Sequence, residues 1–324
     1  MPQESYPFAV GRIKVLETRM LDRAKWNRLR DADTREGYDI LIESGYGASA
    51  QKNGDVELLI AAELADTRAL IEEITPAPRI TRLFLLPTDA HNLKALFKAR
   101  LLGIDPDDVL MQGGLFPPEL LKTAVSAQDY AALPEPLCGA LTALETALAE
   151  EPSPRLLSAA VDSAVFQYIL KELKDAHDKT VTDYFRLKID FLNVESLIRG
   201  IALEWDQEKL QPLLIEGGYI PAADYMPSLS LPKEQLPRAF GRSKSAPFVE
   251  AALEEYFQSG DVSAAVRRMD DALARLTREG RFDSFGIGPI LCYLTEKEAE
   301  AKALRMLFAA KRAGRDPLLP EQFR

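Results

Sequence analysis

Carboxylate, amide and basic side chains recur in this chain at one spacing. Asp89, Asn92, Leu96 and Lys98 form D-x-x-N-x-x-x-L-x-K, and Asp190, Asn193, Leu197 and Arg199 repeat it at an offset of 101 residues. Two aspartates in copied settings could serve as the acid and base of an enzyme whose site lies between repeated domains. The rest of a catalytic vocabulary is missing. There is no G-x-x-x-x-G-K-[ST] loop, no G-x-G-x-x-G after a strand and no G-x-S-x-G elbow. Gly286-Ile287-Gly288 reads as a turn into a helix. His91 and His177 are the only histidines, and neither has a Cys or carboxylate at metal-ligand spacing. Cys138 and Cys292 sit in apolar surroundings and read as small buried hydrophobes of a reducing compartment. The acidic doublets Glu72-Glu73, Asp107-Asp108 and Glu254-Glu255 read as solvated charges. No metal, cofactor or small-molecule substrate is predicted.

The elements that must carry the repeated residues are helices. Ala, Leu, Glu, Lys and Arg fill the long segments, and alternating β-branched runs are scarce. On a helical wheel Asn92, Leu93, Leu96 and Arg100 fall within about 60° of Asp89, and the second copy repeats the stripe. A carboxylate, an amide and aliphatics on one stripe predict a packing seam in which the polar pair caps or orients a buried helix. Lys98 and Arg199 point to the opposite side of their helices and are the candidate partner contacts. A second pair of segments agrees with the duplication: Gln112-Gly-Gly-Leu-Phe-Pro117 recurs as Glu216-Gly-Gly-Tyr-Ile-Pro221, offset by 104. Sliding a further 110 residues past Asp190 finds a degraded third copy. There Glu300, Ala303, Leu304, Leu307 and Phe308 take the places of Asp89, Asn92, Leu93, Leu96 and Phe97.

Helices are predicted at Ala9–Arg30, Ala48–Ile74, Asp89–Leu102, Pro247–Ser259, Val262–Glu279 and Gly288–Ala313. The segment from Arg155 to Arg199 has neither Gly nor Pro and reads as one long helix or two with a break near His177. Ile80–Leu86 is the best strand candidate, though a buried helix reads equally well there. Pro221–Pro247 reads as a long loop. The class is all-α, and three copies divide the 324 residues into units of ordinary domain size, roughly 1–105, 106–210 and 211–324, between which the chain can interleave. A net charge of −10 disfavours nucleic acid as a partner. No stretch approaches the roughly 20 apolar residues of a membrane span, and the N-terminus does not read as a signal peptide. A cytosolic protein is predicted.

Several segments resemble one family. Tyr6–Leu21 (YPFAVGRIKVLETRML), Ile40–Gly47 (ILIESGYG), Asp89–Arg100 (DAHNLKALFKAR), Asp190–Gly200 (DFLNVESLIRG) and Phe285–Lys311 run nearly the length of the chain in the family's order. The family is that of the C subunits of archaeal and bacterial V-type (A-type) ATPases, related to the eukaryotic d subunit. The resemblance implies an all-helical funnel of three similar domains with pseudo-threefold symmetry. It also implies a non-catalytic adaptor, peripheral to the cytoplasmic side of the membrane. Such an adaptor joins the central-shaft subunits to the proteolipid rotor ring and transmits torque for H⁺ or Na⁺ transport. The third copy departs from the pattern by lacking the Asn. A carboxylate enzyme and a generic helical scaffold are the alternatives. A period near 100 exceeds the roughly 20–50 residues of common solenoid repeats, which counts against the scaffold.

Overall fold

A computed structural model describes residues 5–50, 54–150, 153–176 and 178–316, together with residues 319 and 323. The protein is all-α, with no strand among these residues. The helices are α1 (Tyr6–Glu17), α2 (Arg23–Asp31), α3 (Thr34–Glu43), α4 (Val56–Ile74), α5 (Pro78–Arg82), α6 (Leu86–Leu102), α7 (Pro118–Ala127) and α8 (Leu137–Glu150). They continue as α9 (Pro154–Ala176), α10 (Lys179–Ala202), α11 (Gln207–Leu210), α12 (Ala222–Ser228), α13 (Ala246–Ser259), α14 (Val262–Glu279) and α15 (Gly288–Arg312). Short 3₁₀ turns punctuate them.

The chain folds as two compact units. The first joins residues 1–81 to 274–324, and the second holds residues 82–273. In the first unit α15 packs on α4, α1 and α3. Its core gathers Trp26, Leu29, Leu41, Leu59 and Ile60 from the N-terminal helices with Leu304, Leu307 and Phe308 from the C-terminal one. Gly37 leaves the space that the Phe308 ring fills: a Cβ there would lie 3.0 Å from the ring. In the second unit α9 packs on α6, α8 and α10. Phe84 and Phe185 meet with ring centroids 4.9 Å apart, and Phe97 stacks on Tyr130.

Several boundaries differ from the sequence expectation, each for a local reason. The helix expected over Ala9–Arg30 is two, because Asp22 caps α2 by accepting from the Lys25 amide, 2.8 Å away. The segment expected to start at Ala48 carries its helix over Val56–Ile74, with Asp55 as the cap. Ile80–Leu86 is helical. The run from Arg155 to Arg199 divides into α9 and α10, with Asp178 accepting from the Val181 amide; His177 lies outside the described residues. The proline-rich segment at 221–247 contains α12 and a 3₁₀ turn at Leu236–Arg238.

α6, α10 and α15 end alike, in a closure that α3 and α7 also use at Gly45 and Gln128. α6 is followed by Gly103 at φ 67°, α10 by Glu204 at φ 51° and α15 by Gly314 at φ 62°. After each, the next amide reaches back to a helix carbonyl: Ile104 to Ala99 at 3.0 Å, Trp205 to Gly200 at 2.8 Å and Arg315 to Ala310 at 2.9 Å. This left-handed closure satisfies carbonyls that the last turn would leave bare. In these three it falls at the same register relative to Asp89, Asp190 and Glu300, so α15 shares the helix end of α6 and α10.

Candidate functional site

The repeated polar residues build one device twice. Asp89 lies in the first turn of α6 with no exposed surface. Its Oδ2 accepts from the Leu115 amide at 2.7 Å and its Oδ1 from the Phe116 amide at 3.1 Å. One turn on, Asn92 donates to the Met111 carbonyl and accepts from the Met111 amide, both at 2.8 Å. On α10, Asp190 accepts from the Tyr219 and Ile220 amides at 3.1 Å each. Asn193 exchanges two 2.8 Å bonds with Ile215. The D-x-x-N helix and the Gly-Gly loop, two separate repeats in the sequence, are therefore halves of a single clasp.

Glycine is required where the carboxylate meets the loop. A Cβ on Gly114 would lie 2.2 Å from Asp89 Oδ1, and one on Gly218 would lie 2.1 Å from Asp190 Oδ1. Burial raises the Asp190 carboxyl above its ordinary range, while the Ser245 hydroxyl, the Ile220 and Tyr219 amides and the Tyr225 hydroxyl favour its ionised form. Inside a protein such amide donors substitute for water around an anion.

The third clasp closes across the chain ends. Glu300 on α15, with no exposed surface, accepts from the Leu21 amide at 2.8 Å. Leu21 precedes the cap of α2 as Phe116 precedes that of α7 and Ile220 that of α12. No side-chain amide follows Glu300 at the register of Asn92, because Ala303 stands there. A buried cation takes over: Lys297 Nζ lies 3.0 Å from Glu300 and 2.6 Å from Glu63, and sits 4.9 Å from the centre of the Tyr46 ring. Glu63 in turn accepts from the Gly47 amide at 2.9 Å. Burial alone would lower the lysine's pKa, but Glu300 and Glu63 outweigh it and hold the ammonium above its ordinary value. Burial raises Glu300 against the pull of Lys297 and the Leu21 amide.

Leu96, Leu197 and Leu307 are all buried beside their clasps. Arg100, on the same stripe, donates to the Val125 carbonyl and to Glu145, the latter at 2.6 Å. Lys98 and Arg199 line one groove of about 420 Å³, together with Asp162, Glu195, Leu203 and Trp205. Arg199 makes a 3.4 Å contact with Glu195, whereas Lys98 forms no ion pair among the described residues. His91 lies at the surface 3.0 Å from the Val109 carbonyl. Cys292 is buried, which pushes its thiol up to about 12, but Cys138 is only half-buried, contrary to expectation. No cluster of three or more His, Cys, Asp or Glu side chains among the described residues is arranged to hold a metal ion. No described helix is long and apolar enough to cross a membrane.

Sequence reasoning misses Leu21, Lys297, Glu63 and Gly47. The signal for Leu21 is present in weak form: an N-terminal loop running into a capped helix, placed before rather than after its partner helix in the chain. Lys297 carries its own hint, lying one turn before Glu300.

The family described as ATP synthase (C/AC39) subunit has a model that matches residues 9–320. The chain belongs to this family. Both ends of the third clasp fall inside the match, so the closure between Leu21 and Glu300 lies within the span that C/AC39 members share. The C subunit of the A-type ATP synthase of Thermococcus kodakarensis is 26% identical, over 98% of this chain and 89% of that protein. Its counterpart in the V-type ATP synthase of Thermus thermophilus is 25% identical, over 96% of this chain and 94% of its own length. The C subunit of the V-type sodium ATPase of Enterococcus hirae is 23% identical, over 80% of this chain and 78% of its own length.

Proposed function

We propose that this C/AC39 member is the non-catalytic rotor adaptor of a V/A-type rotary ATPase. It seats the foot of the central-shaft subunits on the membrane proteolipid ring, from the cytoplasmic side, and carries torque between them. Three similar helical domains, divided near residues 105 and 210 and interleaved through the chain ends, form a pseudo-threefold funnel around the shaft. The observation that carries the reading is the set of three clasps on α6, α10 and α15 in a chain of this family. Each pins a loop to a helix through buried hydrogen bonds, and a part that passes torque must not yield in its loops. The carboxylates that an enzyme would need are already committed: Asp89 and Asp190 are fully buried on backbone amides. The relatives' names, which include A-type and V-type ATP synthases and a sodium ATPase, support a role in ATP-coupled ion transport.

Reconstitution tests the proposal. The purified chain should be retained by detergent-solubilised proteolipid rings and, separately, by the isolated shaft subunits, and should add no ATP hydrolysis of its own. Failure to bind either under gentle conditions would refute it.

A further inference from the structure

A groove of about 830 Å³ in the second unit runs between α9 and the start of α10. Its two walls are helical stripes at i, i+3, i+4, i+7 spacing: Gln167, Leu170, Lys171 and Lys174 on α9, and Lys179, Thr182, Asp183 and Arg186 on α10. Four of these eight positions are basic, in a chain whose acids outnumber its bases 50 to 40. The facing acids are largely occupied. Asp178 caps the Val181 amide at 3.0 Å. Asp183 is held by the Tyr219 hydroxyl and by Lys244, whose ammonium lies 5.0 Å from the centre of the Tyr219 ring. Hydrogen bonding to Lys244 and Tyr219 outweighs burial and keeps the Asp183 carboxyl below its ordinary range. Glu216 is the remaining acid on the wall, and it is exposed.

The cations are less committed. Lys171 donates to the Glu135 carbonyl at 3.1 Å, and the Arg186 guanidinium lies 5.8 Å from the Tyr219 ring centre. Lys174 and Lys179 form no salt bridge among the described residues. All four basic side chains are exposed, while Leu170, Leu173 and Pro136 give the groove apolar lining between them.

From this charge complementarity we infer that the groove is a docking site for an acidic segment of a protein partner, with carboxylates meeting Lys174, Lys179 and Arg186 and an aliphatic side chain lying against Leu170. The inference is independent of the rotor assignment, because the groove's charge and shape stand whichever assembly the chain joins. A single contact between exposed charges is weak in water, so the site works by summing several over an apolar floor. The Lys98–Arg199 groove is less suited to an acidic guest, since it offers two basic side chains rather than four and Glu195 already pairs with Arg199.

The test is fluorescence anisotropy of a labelled peptide of alternating Glu and Leu, titrated with the full chain at low salt. Saturable binding is expected, weakening as salt rises because screening shortens the reach of each contact. Lys174→Glu combined with Lys179→Glu should weaken it by about tenfold or more, equivalent to about 1.4 kcal/mol. Lys98→Glu combined with Arg199→Glu should leave it unchanged. Both double variants alter side chains at the surface or in an open groove, and circular dichroism checks that they fold. Absence of saturable binding, equal binding by the Lys174/Lys179 variant, or complete displacement by millimolar inorganic phosphate would overturn the inference, the last by marking a site for small anions. Ring and shaft retention by the same variants is scored separately, so failure here leaves the rotor proposal to its own experiment.

Discussion

Replacing Lys297 by methionine tests the account of the third clasp most directly. The side chain is 1% exposed and bridges Glu63 and Glu300, whose side chains are 18% and 0% exposed. Methionine keeps most of the aliphatic stem but leaves two carboxylates facing each other with no cation between them. Removing one partner from a buried ion pair costs about 3–5 kcal/mol, because the remaining charge loses its compensation without regaining water. The partial exposure of Glu63 allows some rehydration there, which places the expectation near the lower end, about 3 kcal/mol. Equilibrium urea unfolding is the assay. Trp26 is buried in the core of the first unit, and a Trp205→Phe background makes it the sole tryptophan reporter.

The pH dependence has a definite sign. A carboxyl whose folded-state pKa is raised favours the folded state below its unfolded pKa and loses that contribution as pH rises through the folded value. Burial already raises Glu300, and removing Lys297 raises it further. The Lys297→Met defect should therefore be largest at neutral pH and shrink as pH falls toward the ordinary glutamate range, near about 4.3. Adding Glu63→Gln and Glu300→Gln should recover much of the loss at pH 7. A loss under about 1 kcal/mol that is also insensitive to pH would show that the buried lysine is dispensable and refute the reasoning.

Asn193→Leu removes both bonds to Ile215 and leaves a buried amide and carbonyl unpaired, so it should cost roughly 1–3 kcal/mol by the same assay read at Trp205. Unchanged stability would defeat the clasp as a structural device. Charge reversal of Lys98 and Arg199 together should leave the fold intact, at a cost of roughly 0.5 kcal/mol from the lost Arg199–Glu195 pair, and weaken retention by the rotor subunits; normal retention removes both residues from the partner surface.

Helical class, the repeated helix and its buried stripe are legible in the sequence because periodicity and copying are local signals. Asp89 and Asn92 point inward as the 100° rotation requires, and the offsets found in sequence reappear in the left-handed ends of α6, α10 and α15. The physical meaning of the two repeats is not legible. That Asp89 grips Leu115 and Phe116 depends on a turn folding back over 26 and 27 residues, and helical spacing says nothing about such returns. Leu21 is harder still, since its partner lies at the other end of the chain and no side-chain chemistry marks a backbone amide. The basic groove hides in the sequence because the run through α9 and α10 declares itself by its apolar positions. Its lysines fall on the outer face of each helix, and only their convergence gives them a shared role.

The long reach of the third clasp explains its different chemistry. Asp89 and Asp190 close loops of 26 to 30 residues, whereas Glu300 reaches a residue 279 positions away. Loop-closure entropy grows as (3/2)RT ln n, so, counted from the fully unfolded chain, the longer closure costs about 2 kcal/mol more than the shorter ones. A neutral amide pair is worth about 1 kcal/mol net, too little to offset that difference, while charge-assisted bonds are roughly twice as strong. The charged Lys297–Glu300–Glu63 set in place of an asparagine fits this need, and the first unit holds both chain ends through it. Even so, the entropy term acts only on that unit, and on this argument the first unit is predicted to be the weaker of the two. In urea, Trp26 fluorescence should report a lower midpoint than Trp205 fluorescence, each measured with the other tryptophan replaced by phenylalanine. Coincident midpoints, or the reverse order, would mean that packing on α15 dominates and that chain closure sets neither the chemistry of the clasp nor the order of unfolding.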